Sequence, residues 1–558
     1  MIVEIAAAKE SVQISVTGVT GPALENILIK LNGQPIMQGD STPSADEIQA
    51  FSTIAPGLIH KAMEPFGYFN ANVQLASITK QDKKWHLTFT VKPGHAVHIQ
   101  KINIVIAGPG QHNTAIEKYI RHFPLKKDDP FSTEAYEKAR DALLDTINNQ
   151  GYLDARFDQK EVLIDRKHYS AVITLHLTTG TRYYFGPVTF SENPLHQSFL
   201  NRFITFKEGE PFSNEKLLTL QQNLSSSQYF QQVLVSPQIN KTNAYRVPIH
   251  IDVTLPKAKH YLFGFGYGTF TGPRATFGVD YKRVGHTGQH FSLRTQLSST
   301  LSAVGGKYYI PGKNPLTDQY VFGVEIQKFT PPTGESFSES LSASRIKTYN
   351  DWQHTLSLNY LIERYKVGED PTESSQSLYP SYTLSWLHAD NLMNPTRAAM
   401  INFNIKGASE HFLSHNNFFQ TDIKGKLIFS PTQMSRVIVR GNLGYTVVND
   451  LTRLPFTMRY FAGGLDSVRG YNYSSIGPGR YLETASIEFQ HQLIGDLSGA
   501  VFYDVGTATD HFNDELFRGA GVGLVYHSML GPIKIYFERA LSKPGKPFHM
   551  DFSIGPDL

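Results

Sequence analysis

The residues best placed to do chemistry lie in the last hundred positions. Arg469 stands in Ser467-Val468-Arg469-Gly470-Tyr471, shortly after Phe461-Ala462-Gly463-Gly464. Two carboxylates follow on segments that alternate in polarity. Thr484, Ser486, Glu488 and Gln490 are polar, opposite Ala485, Ile487 and Phe489. Asp504 shares its parity with Phe502 and Gly506, opposite Val501, Tyr503 and Val505. Period-two alternation is the mark of a strand with two unlike faces. If the Arg469 segment folds inward against these strands, its guanidinium needs anions, and carboxylates match its planar fork. Glu488 and Asp504 then become its partners. Removing one member of such a buried set costs about 3–5 kcal/mol, because the other charge is left uncompensated. The plain alternative is a surface loop on which Arg469 is solvated.

Other chemistries find no support. The chain has no cysteine, which excludes disulfides, thiolate-bound zinc and a thiol nucleophile. There is no His-Glu-x-x-His, no Gly-x-Ser-x-Gly and no phosphate-binding loop. Gly264, Gly266 and Gly268 resemble part of a dinucleotide fingerprint, but alternation follows them where a helix should. His286 and His290 stand four apart in a strand-and-turn segment, so they share no helix face. A net charge of +3 over 558 residues is too small to point to nucleic acid. The expectation is a protein that is not an enzyme, with no catalytic residue, no cofactor, no metal site and no nucleic-acid partner.

The elements that must position Arg469 belong to a long β-region. From about Lys257 helical periodicity gives way to alternating segments of about ten residues. Ile401, Phe403 and Ile405 alternate with Asn402, Asn404 and Lys406. Phe548, Met550, Phe552 and Ile554 alternate with His549, Asp551 and Ser553. No run approaches the ~18 consecutive apolar residues of a membrane helix. A closed barrel is the other way to span a bilayer, with lipid-facing and lumen-facing residues in alternation. Residues 258–558 allow about nineteen per strand for sixteen strands, which suits such a barrel. A large soluble β-domain is the alternative.

Before that region the chain writes one unit three times. Strict alternation marks Trp85–Val91, Ala171–Leu177 and Ile249–Leu255. A helical pattern precedes each. Ser132 caps a helix whose face is Tyr136, Ala139, Leu143 and Ile147, and Gly151 closes it. Ser213 caps Leu217, Leu220 and Leu224. Ser44 caps Ile48 and Phe51, and Pro56 is expected to split that pattern into two helices. A β-α-α-β-β unit of roughly 80 residues in tandem is a domain array. The boundaries expected are 1–94, 95–180, 181–257 and, for the barrel, 258–558.

This arrangement resembles the superfamily of outer-membrane assembly proteins with periplasmic POTRA domains and a sixteen-stranded barrel. Phe461 to Tyr471 looks like its inward-folded loop motif, with Val468, Arg469, Gly470 and Tyr471 at its heart. Phe502-Tyr503-Asp504-Val505-Gly506 looks like its lumenal strand motif. Gly519-Ala520-Gly521-Val522-Gly523 with Gly531-Pro532-Ile533-Lys534 looks like its penultimate hairpin. Asp390-Asn391 with Asn394-Pro395-Thr396-Arg397 looks like a weaker fourth signature. The three-unit count and the ending Gly555-Pro556-Asp557-Leu558 are similar to the TamA branch. The fold implied is α+β tandem POTRA domains followed by an all-β barrel of sixteen antiparallel strands, in the bacterial outer membrane with the N-terminal domains in the periplasm. Met1 to Ile5 has no basic region, and no signal peptide is read in this sequence.

The function expected is assembly: insertion or translocation of autotransporters and other outer-membrane proteins. A weak barrel seam would template a client strand. The glycines at 264, 266 and 268 and the short last strand, with Phe552 and Gly555, would make that seam. The resemblance implies a TamB-like periplasmic partner, unfolded client proteins and the lipid bilayer as partners. The alternatives are a secretion pore that passes its client through the lumen, and a lipid-transfer terminus working with TamB.

Overall fold

A computed structural model describes residues 7–9, 12–38, 42–82, 84–268, 272–392, 394–511, 514–528 and 531–554. It divides into two units. The first comprises Met1–Ser191, Thr205–Gln221 and Leu234–Asp252, and the second Glu192–Ile204, Gln222–Val233 and Val253–Leu558.

The first unit is built on the repeat. Strand Val12–Thr17, helices Pro22–Asn32 and Ala45–Met63, and strands Asn72–Gln81 and Lys84–Lys92 form one copy. His98–Ala107, Thr114–Arg121, Thr133–Asn148, Arg156–Asp165 and Ser170–Thr178 form the next. In both, the last strand sits centrally, parallel to the first and antiparallel to the second. The third sheet has the same order, with Arg246–Thr254 between Tyr184–Phe190 and Gln232–Pro237. Helix faces seal each sheet, through Ile48, Phe51 and Ile59 in the first copy and Tyr136, Leu143 and Ile147 in the second.

Local chemistry sets the helix starts. Ser44 forms a capping box: its Oγ accepts from the Glu47 amide at 3.2 Å, and Glu47 accepts from the Ser44 amide at 2.7 Å. Ser132 and Ser213 cap their helices through the amides of Ala135 and Lys216. Pro56 departs from the sequence expectation. It lies inside one continuous helix, Ala45–Met63. Proline removes a single i→i−4 bond, while buried Ala55, Ile59 and Ala62 hold the second half to the core. The other helix of that repeat is Pro22–Asn32.

The second unit holds a sixteen-stranded antiparallel sheet. We number its strands β1 (Lys259–Gly268), β2 (Gly272–Val284), β3 (Gln289–Leu297), β4 (Leu301–Pro311), β5 (Asp318–Phe329), β6 (Gly334–Tyr349), β7 (Trp352–Val367), β8 (Glu373–Ala389), β9 (Ala398–Ala408), β10 (Phe418–Thr432), β11 (Ser435–Val448), β12 (Tyr481–Ile494), β13 (Leu497–Thr509), β14 (Phe517–Ser528), β15 (Gly531–Ala540) and β16 (Phe548–Ile554). Each pairs with its neighbours in sequence order. β1 and β16 approach one another, but among the described residues no backbone ladder joins them. Along β12, Ser486, Glu488 and Gln490 are buried, while Ile487 and Phe489 are exposed on the outer face. No described helix is long and apolar enough to cross a membrane.

Part of the third repeat belongs to this unit. Phe199 packs edge-on against Phe203 and Tyr229. Its ring also lies beneath the β2–β3 turn, where a Cβ on Gly288 would come within 2.3 Å of it. His196 donates its amide to the His286 carbonyl at 2.8 Å. Arg202 donates to the carbonyls of Pro311 and Gly312 at 3.3 and 3.1 Å, at the end of β4.

Candidate functional site: the inward loop and its lumenal wall

The segment 449–480 between β11 and β12 folds against the inner wall. Its own hairpin, Tyr460–Ala462 with Ile476–Gly479, frames the turn that carries Arg469. Val468 and Tyr471 are fully buried. Arg469 is 1% exposed, so the solvated alternative does not hold. Its Nε donates to Asp504 Oδ2 at 2.7 Å and its Nη2 to Asp504 Oδ1 at 2.9 Å, a bidentate fork. Nη1 donates to Glu488 Oε2 at 2.5 Å, and the Arg469 amide also donates to Asp504, at 3.0 Å. β12 and β13 are hydrogen-bonded neighbours, with Ser486 directly opposite Asp504, so the two acids flank one guanidinium.

Aromatic and hydroxyl groups complete the seat. The guanidinium carbon lies 3.5 Å from the Phe502 ring centroid and 4.9 Å from that of Tyr536, cation–π contacts that desolvation strengthens. The Tyr536 hydroxyl donates to Glu488 at 2.7 Å, and Ser486 donates to Asp504 at 2.6 Å. Gln490 donates to Glu488 at 2.6 Å. Nothing in the sequence alone marks Ser486, Gln490 or Tyr536 as members of this seat. The parity that points to Glu488 also places Ser486 and Gln490, but strand pairing is needed to add Tyr536.

The glycines explain themselves by space. A Cβ on Gly519 would sit 1.9 Å from the Arg469 carbonyl oxygen. On Gly521 it would meet the Phe502 ring at 2.7 Å, and on Gly523 the Tyr536 ring at 2.4 Å. This strip of β14 is the floor under the loop. Gly470, at φ +89, lies against the backbone of Arg539 and Ala540. Gly506 has the Glu483 carbonyl at 2.5 Å from its would-be Cβ, which sets the close β12–β13 approach.

A second anchor holds the start of the same segment. Glu363 on β7 accepts from the Thr457 amide at 3.2 Å and from its hydroxyl at 3.0 Å. Tyr365 donates to the Thr452 carbonyl at 2.6 Å, and Ser375 on β8 donates to that of Arg453 at 3.0 Å. Buried Leu454, Phe456 and Met458 fill the space between.

The expected seam residues lie apart from this cluster. Gly264, Gly266 and Gly268 are all on β1 and pair with Thr276, Arg274 and Gly272 of β2. Phe552 on β16 pairs with Ile535 of β15. Gly555 falls outside the described residues. Along β1, Phe263 and Phe265 are 66% and 89% exposed.

Comparison with known proteins gives this geometry a family. An Omp85 superfamily domain matches residues 283–557. A POTRA model described as surface antigen variable number repeat matches 97–180 and 183–254. The chain belongs to the superfamily of POTRA-plus-barrel outer-membrane assembly proteins, and its place is the outer membrane, with its POTRA domains in the periplasm. Within that class its first POTRA domain is of the TamA type, matched over residues 13–93. It is 21% identical over 512 residues to the outer membrane protein assembly factor BamA of Nitratidesulfovibrio vulgaris, a match covering 84% of this chain and 63% of that one. The chain thus spans under two thirds of that relative's length. It shares its fold with the crystal structure of Haemophilus ducreyi BamA lacking POTRA domains 1–3, at a TM-score of 0.69 and 17% identity, over 82% of this chain and 99% of that one. CdiB from Escherichia coli aligns over 92% of this chain and 99% of its own at 12% identity, with a TM-score of 0.49.

Proposed function

We propose that this protein is an outer-membrane assembly factor that inserts or translocates autotransporters and other outer-membrane proteins by pairing a client strand at the β1–β16 seam. Three periplasmic domains, over 1–94, 95–180 and 181–257, receive the client and a TamB-like partner, and the barrel over 258–558 carries the seam. The observation behind this reading is the missing ladder between β1 and β16 among the described residues. A strand edge in a bilayer leaves donors and acceptors unsatisfied at several kcal/mol each. An antiparallel partner supplies about one hydrogen bond per residue, so a client strand laid on the ten residues of β1 relieves that cost along its length. The apolar outer face at Phe263 and Phe265 suits the alternating side chains of such a strand.

The inward loop supports the same route. Anchored at Arg469 and at Glu363, it occupies the lumen that a through-barrel path would need. Engineered cysteines test the choice cleanly, since the chain has none. One is placed on β1 near Gly266 and one on β16 near Phe552, and autotransporter delivery is assayed with the pair oxidised and reduced. Delivery that stops on oxidation and returns on reduction is expected. Delivery that continues through a locked seam overturns the seam route.

A further inference from the structure

The signature Asp390-Asn391 with Asn394-Pro395-Thr396-Arg397 plays no part in the seam or in the Arg469 seat. It forms the turn between β8 and β9, at the end of the barrel opposite the 449–480 connection. Asp390 ties the turn to itself, accepting from the amides of Thr396 and Arg397 at 3.0 and 3.1 Å. The turn is also tied to other strands. Asn394 donates to the Ser528 carbonyl at 3.0 Å, at the end of β14, and Ser430 of β10 donates to the Thr396 carbonyl at 3.1 Å.

A third tie leads inward. Arg436 on β11 donates through Nη1 to the Pro395 carbonyl at 3.2 Å. Through Nη2 and Nε it donates to Gln490 Oε1 at 2.7 and 3.1 Å. Gln490 passes its amide to Glu488 Oε1, whose other oxygen holds Arg469. Arg436, Gln490, Glu488 and Arg469 are 8%, 1%, 4% and 1% exposed. An unbroken chain of buried hydrogen bonds therefore runs from the turn's backbone to the inward loop.

The geometry points to Arg436 and Gln490 as positioning residues that couple the β8–β9 turn to the seating of Arg469, so that displacing either end loosens the other. Gln490 is the hinge of this coupling. Its carbonyl oxygen is committed to Arg436 and its amide to Glu488, so it cannot serve one partner in a rotated state without failing the other. Buried networks of this kind respond as a unit, and a coupling free energy between two sites is reciprocal. The turn sits at the same end of the barrel as Lys259, where β1 begins. A client or partner that displaces it would loosen the loop's hold on the lumen. The coupling itself does not depend on the proposed seam route.

Spin labels on the full-length purified protein test it. One label replaces exposed Leu392, reporting the turn, and another replaces exposed Asn472, reporting the loop. Gln490→Met keeps the side chain's length and removes both of its bonds. The mobile population at both labels is expected to rise about fivefold or more, the low end of ordinary coupling between sites. Arg436→Lys keeps the charge but cannot bridge Pro395 and Gln490, and should free both labels in the same way. Ser430→Ala removes a turn contact outside this chain of bonds and, because the coupling is reciprocal, should raise mobility at the Asn472 label as well as at the Leu392 label. If Gln490→Met frees the loop label while the turn label stays at its wild-type value, the ends are uncoupled and the inference fails. It fails equally if Arg436→Lys frees the turn alone, and that variant decides the matter should Gln490→Met not fold.

Discussion

Replacing Asp504 with alanine should release the Arg469 loop, and the structure sets the size of the effect. Asp504 is fully buried and accepts four hydrogen bonds, from the Arg469 amide, Nε and Nη2 and from Ser486 Oγ. Its loss leaves a buried guanidinium with one carboxylate, Glu488. Breaking a buried charge pair by removing one partner costs about 3–5 kcal/mol. The apolar anchors that remain, Val468 and Tyr471, contribute on the order of 1.5–3 kcal/mol each. Glu488 and these anchors stay in place, so the loop should open more often while the barrel stays folded. At roughly 4 kcal/mol the open population rises about a thousandfold, since each 1.4 kcal/mol is tenfold. Trypsin reads this directly. Arg469 is sealed in the wild type, and cleavage after it tracks the open population when opening is fast relative to cleavage. The cleavage rate at Arg469 is expected to rise by about three orders of magnitude in Asp504→Ala, and by less in Asp504→Asn, which keeps an acceptor. A rise below tenfold, with the barrel still folded, would show that the charge cluster does not hold the loop.

Three further outcomes follow from the same geometry. Gly519→Val should cost stability of the order of 1–3 kcal/mol or displace the loop, since a side chain there meets the Arg469 carbonyl; thermal unfolding and the same trypsin assay report it. Glu363→Ala removes the acceptor for Thr457, and proteolysis within 450–459 should rise while protection at Arg469 persists, because the two anchors stand on different strands. The third concerns pH. Hydrogen bonds from Ser44 hold the Glu47 carboxyl below the usual carboxylate range. A group with a depressed folded-state pKa adds stability above its unfolded value, and that stability is lost as pH falls through the folded one. Amide exchange in the first turn of helix Ala45–Met63, scaled to its intrinsic rate, should therefore accelerate on acidification; Ser44→Ala, which keeps the backbone amide and loses the hydroxyl, should weaken the dependence, and Glu47→Gln should remove it.

Much of this is legible in the sequence because alternation fixes a face. Parity alone puts Glu488 and Asp504 on the side where the structure finds them. It also puts Ser486 and Gln490 there, but gives no reason to choose them, since parity says nothing of depth. Tyr536 and Arg436 need the pairing of strands far apart in the chain. The glycine strip 519–521–523 is visible as a motif, while its meaning, room for the Arg469 carbonyl and two rings, appears only with the loop in place. Pro56 misleads because a local rule is asked to decide a helix that tertiary packing decides. The second anchor at Glu363 carries no signal, because a single polar residue on a lumenal face is what every strand of such a barrel shows.

The central claim is that a client strand pairs with β1, and trapped contacts test it most directly. Cysteines are placed singly along β1 at Phe263, Phe265 and Tyr267, on the outer parity, and at their neighbours Gly264 and Gly266. Each is combined with single cysteines along the last strand of a stalled autotransporter, and disulfide formation is mapped pair by pair. The account predicts crosslinks that step along both strands in one antiparallel register, two residues on β1 for two on the client. Crosslinks without register, or crosslinks that form instead with exposed positions of the lumenal wall, would contradict it.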